Sequence, residues 1–185
     1  LGWTPSVGIV RDPARSVDAV ILKGFLLAMR EKRIVCFDYQ SMTSAVPSMR
    51  TISPHALAFD GSRWHIRGFC HAHNEFRDFV LGRVRSATTE GPTNIDPRND
   101  TDWHNIIEAI IIPHPQLSTG QRQAVESDYC MEAGQLVLRV REALLFYHLE
   151  HLGLLDSAEN SKKHIALKNR VALQPFFEKH HIQTT

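Results

Sequence analysis

Arg63-Trp64-His65-Ile66-Arg67-Gly68-Phe69-Cys70, followed after a polar interval by Arg77-Asp78-Phe79-Val80-Leu81-Gly82-Arg83-Val84, is the stretch on which the fold turns. Period-two alternation sends successive side chains to opposite faces of a strand. Two antiparallel strands are therefore predicted, over residues 64–70 and 77–84, with residues 71–76 as their connection. Just ahead, Asp60-Gly61 is a strong turn signal. Upstream, residues 34–39 form a β-prone run, 40–48 a loop containing Pro47, and 50–59 an extended stretch interrupted by Pro54. Short strands joined by tight turns point to a small, strongly bent sheet or barrel.

Before these strands the period changes. Val17, Val20, Ile21, Gly24, Phe25 and Ala28 recur at helical spacing, with Ser16 placed to cap and Asp18 near the positive end. A helix over residues 17–31 follows. Residues 91–102, rich in Pro, Asn and Asp, read as a linker. Beyond it the element types alternate. A strand at 108–113 ends at Pro113 and Pro115, and Ser118 with Gln121 makes a capping box for a helix to about Tyr129. Residues 135–140 are a strand. Residues 142–152 are a helix that presents Leu145, Leu149 and Leu152 and stops at Gly153. The last strand is either 165–167 or 171–173. The domain assignment is a linker and helix over 1–33, a β unit over 34–90 and an α+β unit over 103–185.

The 185 residues carry a formal net charge of +1, with 43% hydrophobic and 22% charged side chains. That is a globular balance without bulk attraction to nucleic acid or membrane, so any polyanion site must come from local clustering. Cys36 and Cys70 sit in apolar runs, and Cys130 stands far from both. They read as free thiols of a cytoplasmic protein. No signal peptide is evident, and no run approaches the roughly 18 apolar residues that span a bilayer. The chain begins at Leu1 within apparently ordered sequence, which reads as a fragment of something longer.

No G-x-S-x-G elbow, phosphate-cradling glycine loop or zinc-protease helix occurs, so no catalytic residue is assigned. Of the eleven histidines, His71-x-His73 and His180-His181 are the closest to a metal pattern, and neither has zinc-finger spacing. No metal ligand and no cofactor is assigned. The arginines of the strand region say more. If His71 pairs with Arg77, then His65, Arg67, Arg77 and Arg83 share one face with Phe69 and Phe79, which suits phosphates and stacked bases. A slip of one residue scatters the set. Arginines that merely solvate a sheet face, or pair with Asp60, Glu75 and Asp78, fit the pattern as well.

The run over 34–39, then Arg50, Pro54 and Leu57, then the two quoted strands, resembles the WYL domain. Its naming positions fall on Trp64, His65 and Ile66, of which only the tryptophan is literal. Tyr39-Gln40-Ser41-Met42, Pro54-His55-Ala56-Leu57 and Arg77-Asp78-Phe79-Val80-Leu81 resemble one branch, the WYL repressors of phage-defence islands such as BREX and CBASS regulators. Pro113-His114-Pro115, Asp128-Tyr129 and residues 141–147 resemble that branch's C-terminal extension, so the likeness covers roughly residues 16–155.

The resemblance implies an α+β chain: an Sm-like (SH3-like) small β-barrel preceded by a helix, then a ferredoxin-like extension. It implies a homodimer whose operator DNA is read by an N-terminal winged helix-turn-helix not contained in this sequence. It further implies that the barrel binds a nucleotide or short single-stranded nucleic acid effector. Tyr39, Ser41, Arg50, His55, Trp64, His65, Arg67, Arg77 and Arg83 are the candidate ligand residues, with a core role favoured for Trp64. The competing reading is a protein-interaction module with no small ligand.

Overall fold

The computed structural model describes residues 2–10, 13, 15–155 and 164–180; His181 of the tail histidine pair lies outside them. The chain divides between Pro97 and Arg98 into two compact units.

In the first unit, α1 (Ala19–Arg30) opens at Asp18, whose Oδ1 accepts from the amides of Val20 and Ile21 at 2.8 and 3.0 Å. Asp18 therefore replaces Ser16, the expected cap, because the first helical turn begins one residue after it. Phe25 and Ala28 bury the inner stripe of the helix against Val35, Phe37 and Ile52.

Five strands follow: β1 (Arg33–Tyr39), β2 (Ser48–Phe59), β3 (Trp64–Cys70), β4 (Glu75–Val80) and β5 (Val84–Pro92). They form one antiparallel sheet in the order β4-β3-β2-β1-β5. Its edges, β4 and β5, do not pair, so the ladder is an open sheet and not a closed barrel. The predicted strand over 77–84 is interrupted by a 3-10 turn, Leu81–Arg83, which drives Leu81 into the core. β5 was expected as the end of one strand and the start of a linker. It has little apolar content and is held chiefly by its backbone ladder to β1.

Two local features set the register around β3. Between Pro54 and Ala56 the β2 ladder slips by one residue, leaving His55 as the extra residue of a bulge. Opposite it, Gly68 lies so close to β2 that a Cβ there would stand 2.7 Å from the Ser53 carbonyl oxygen and 2.9 Å from Pro54 Cα. Only glycine fits that approach without moving backbone. The β3–β4 connection is four residues, not six: the amide of Asn74 donates to the Cys70 carbonyl at 2.8 Å, and Asn74 takes φ 54°. Asparagine tolerates this left-handed conformation. Glu75 and Phe76 consequently belong to the strand.

The second unit begins with α2 (Thr101–His104), capped by Asp100. β6 (Ile106–Pro113) is the central strand between β7 (Leu136–Arg141) and β8 (Ile165–Leu167), antiparallel to both. α3 (Thr119–Asp128) starts with the expected Ser118–Gln121 capping box. α4 (Glu142–His151) follows β7 directly, and α5 (Gln174–Lys179) starts with Pro175 in its first turn. Residues 171–173 are turn, so 165–167 supplies the last strand. A ferredoxin-like unit runs β-α-β-β-α-β. The order here, from β6 onward, is β-α-β-α-β-α among the described residues, with three strands. Leu145 and Leu149 are wholly buried with Ile111, Phe176 and Phe177. The apolar face of α4 thus fills this unit's own core and gives no separate reason for a dimer.

Candidate functional site

The four-residue turn decides the arginine geometry. It pairs Cys70 with Glu75, so Arg67 lies opposite Asp78, and Gly68 opposite Arg77. The expected common face of His65, Arg67, Arg77 and Arg83 does not form. Moving the partner of Arg67 from Leu81 to Asp78 shifts the register by an odd number of residues, which turns Arg77 and Phe79 to the face opposite His65 and Arg67. Arg67 is 4% exposed and bonds Asp78 Oδ1 through Nη1 at 3.0 Å. His65 is 2% exposed and donates from Nε2 to Asp60 Oδ2 at 2.8 Å. Arg77 is exposed and paired with the Glu75 carboxylate. Arg67 and Arg77 thus pair with Asp78 and Glu75, two of the partners the sequence offered as the alternative; the burial of Arg67 and His65 was not expected.

Tyr39 is also in the core. Its ring packs edge-on against Phe37 and Phe79, and its hydroxyl accepts from the Val80 amide at 3.2 Å. Arg50 bonds its neighbour's carbonyl on Met49, and Ser41 bonds Thr43 within the loop after β1. His55, the bulge residue, sets its ring 5.5 Å from that of Phe76. None of these four lines the cleft described next.

Trp64 and Arg83 do come together. Trp64, expected in the core, is 45% exposed and leans on Phe59 with ring centroids 5.0 Å apart. It stands in a cleft of about 320 Å³ lined by Arg15, Arg63, Val80, Gly82 and Arg83 among others, with no carboxylate in the lining. Arg63 and Arg15 were missed in the sequence. Both lie in irregular segments, where no periodicity assigns a face, although the adjacency of Arg63 to Trp64 was a usable signal.

Asp60 organises one side of this cleft. Its Oδ1 accepts the backbone amides of Ser62 and Arg63 at 2.8 and 2.6 Å, and its Oδ2 accepts Nε of Arg63 at 3.0 Å together with His65. Burial pushes the Asp60 carboxyl up, but the hydrogen bonds from His65, from the two amides and from Arg63 outweigh it and hold the group well below the usual carboxylate range. Arg63 thereby spends Nε on Asp60 and keeps its two amino groups for the cleft. No hydrogen bond or ion pair engages the guanidinium of Arg15 or Arg83 among the described residues.

The sign of the pH dependence follows from the depressed carboxyl. Asp60 contributes stability above its unfolded value near 3.8, and loses it as pH falls through the lower folded value. Asp60→Asn is expected to flatten the fall in stability below about pH 4, read from urea midpoints across an acid series. An unchanged acid limb would assign that destabilisation to other groups.

Among the described residues, no group of three or more His, Cys, Asp or Glu side chains is placed to hold a metal ion. Cys36 is half-buried, Cys70 buried and Cys130 exposed, all as free thiols. No helix among the described residues is long and apolar enough to cross a membrane.

Comparison with known proteins agrees with the two-unit organisation. Residues 21–89 match the WYL domain, and residues 106–173 match the BrxR transcriptional regulator C-terminal dimerization domain. The chain is 39% identical over 175 residues to the DNA-binding transcriptional repressor CapW of Stenotrophomonas maltophilia, covering 91% of this chain and 58% of that protein. The CapW repressors of Escherichia coli and Pseudomonas aeruginosa are 39% and 36% identical over 173 residues, each covering 92% of this chain and 58% of the relative. This chain thus spans less than two thirds of the curated relatives it matches. Among solved structures, the proteasome accessory factor B/C of Arthrobacter aurescens aligns with a TM-score of 0.39 and 18% identity, over 89% of this chain and 27% of that chain. A superposition so loose decides nothing about the fold. The BrxR family and the CapW relatives are named for transcriptional regulation. The chain therefore joins a WYL domain to a BrxR-type C-terminal dimerization domain and is a homologue of the CapW repressors.

Proposed function

We propose that this chain is the effector-sensing and dimerisation part of a cytoplasmic transcription repressor of the phage-defence type. Operator DNA is bound by an N-terminal winged helix-turn-helix outside this sequence, and the two protomers associate through residues 106–173. The first unit is an Sm-like module whose cleft holds a nucleotide or short single-stranded nucleic acid. Occupancy of the cleft alters DNA binding without any chemistry on the ligand.

One observation carries the ligand reading: the guanidinium groups of Arg15 and Arg83, which no carboxylate engages among the described residues, converge with Arg63, held by Asp60 through Nε, beside a half-exposed indole. Guanidinium forks bind phosphate oxygens in bidentate fashion, and an aromatic face accepts a base. The site thus moves from the arginines of β3 and β4 to Arg63, Trp64 and Arg83. Replacing Arg63 and Arg83 together by glutamate is expected to weaken binding of a short thymidine oligonucleotide by at least roughly 100-fold, two charge-assisted contacts being lost. Fluorescence anisotropy checks this. Equal affinity in the folded double variant and the parent would leave the cleft without this role, and would favour a protein-interaction module.

A further inference from the structure

The cleft has two sides with different attachments. Arg63, Trp64 and Val80 belong to the sheet and its loop, and Gly82 and Arg83 to the 3-10 turn. Arg15, Ser16 and Val17 belong to the irregular segment that runs into the Asp18 cap of α1. The two sides meet at Gly82, where a Cβ would come 3.0 Å from the Ser16 carbonyl oxygen. From α1 onward the chain is anchored by Phe25 and Ala28 in the core. Ahead of it the picture reverses: residues 2–10 lie outside regular structure, and Trp3, Val7, Ile9 and Val10 are all more than two-thirds exposed. Arg15 stands at this boundary.

Arg15 and Arg83 repel one another and Arg63 across the cleft; Asp60 offsets the charge of Arg63, and no carboxylate of the lining offsets the other two. A bound phosphate reverses the sign of that interaction. A terminal phosphate suits the site best, because it carries close to two negative charges at neutral pH and offers three oxygens to the three forks.

We propose that Arg15 is a third phosphate-binding group, and that a nucleoside phosphate in the cleft clamps the segment ahead of α1 onto the 3-10 turn. The proposal rests on the effector reading above and deepens it. A ligand shifts a conformational equilibrium only by its differential affinity for the two states. A contact to Arg15 that exists only in the clamped arrangement supplies such a difference.

The test uses the whole chain with 5′-phosphorylated tetrathymidylate as the probe. Binding is measured for the parent and for R15A, and trypsin cleavage of the Arg15–Ser16 bond in the parent is followed by mass spectrometry with and without saturating probe. The expected result is roughly tenfold weaker binding by R15A at unchanged thermal stability, together with slower cleavage after Arg15 when probe is bound. If the parent binds but R15A binds equally well, or if the bond is cut as fast with probe as without, the clamp is wrong and the cleft reading stands. If the parent does not bind the probe, both fall.

Discussion

Arg67→Ala is expected to destabilise the first unit by about 3–5 kcal/mol, because it empties a buried site and takes the guanidinium countercharge from the largely covered Asp78 carboxylate. The pair sits on β3 and β4 with both side chains almost wholly removed from solvent. Removing one partner of such a pair takes the nearest countercharge from a carboxylate that little water reaches. For a unit of this size about 1 kcal/mol moves the melting temperature by about 4–8 °C, so a shift of at least about 12 °C should appear in a thermal melt. Replacing both members by apolar residues of similar size, Arg67→Met with Asp78→Leu, should recover most of the loss. Arg77→Ala is the contrast: its partner Glu75 is exposed, and the change should stay within about 0.5 kcal/mol. A mild Arg67→Ala would place that guanidinium in solvent and return it to the ligand candidates.

Phe177→Ala carries the second large effect. Phe177 is wholly buried in the second core, and Cζ of Arg170 lies 4.5 Å over its ring. Arg170 in turn bonds the carbonyls of Leu154 and Leu155 at 3.1 and 2.6 Å. Truncating the ring opens a cavity and loosens the arginine that ties down the chain after α4. Core phenylalanine truncations cost about 3–5 kcal/mol. On the association through residues 106–173 proposed above, the variant should also lose dimer in light scattering at concentrations where the parent retains it. A variant that melts like the parent would contradict the placement of α5 in this core.

How much of this was legible depended on what each feature rests on. The strands over residues 34–70 and α1 followed from periodicity, since alternation and helical spacing both reflect which side chains leave water. The Ser118–Gln121 capping box was legible because it is local chemistry. The face of Arg77 was not, because it depends on whether the β3–β4 turn holds four residues or six, and one left-handed asparagine at Asn74 settles that. β5 stayed hidden because it is an exposed edge held by backbone bonds to β1. α5 stayed hidden because Pro175 reads as a breaker, although proline is favoured in a first helical turn. The cleft was the least legible feature. It gathers residues from three irregular places, near positions 15, 63 and 83, that share no period.

The effector claim is tested most directly by the salt dependence of binding of a fluorescein-labelled, 5′-phosphorylated tetrathymidylate. Each phosphate neutralised on a single strand contributes about −0.7 to the slope of log affinity against log salt. Engagement of the doubly charged terminal phosphate by Arg15, Arg63 and Arg83 therefore predicts a slope of about −0.7 to −1.4 for the parent chain, and a flatter one in the folded Arg63→Glu, Arg83→Glu variant, which keeps only Arg15. A parent that shows no salt-dependent binding, or a variant whose slope equals the parent's, would contradict the account.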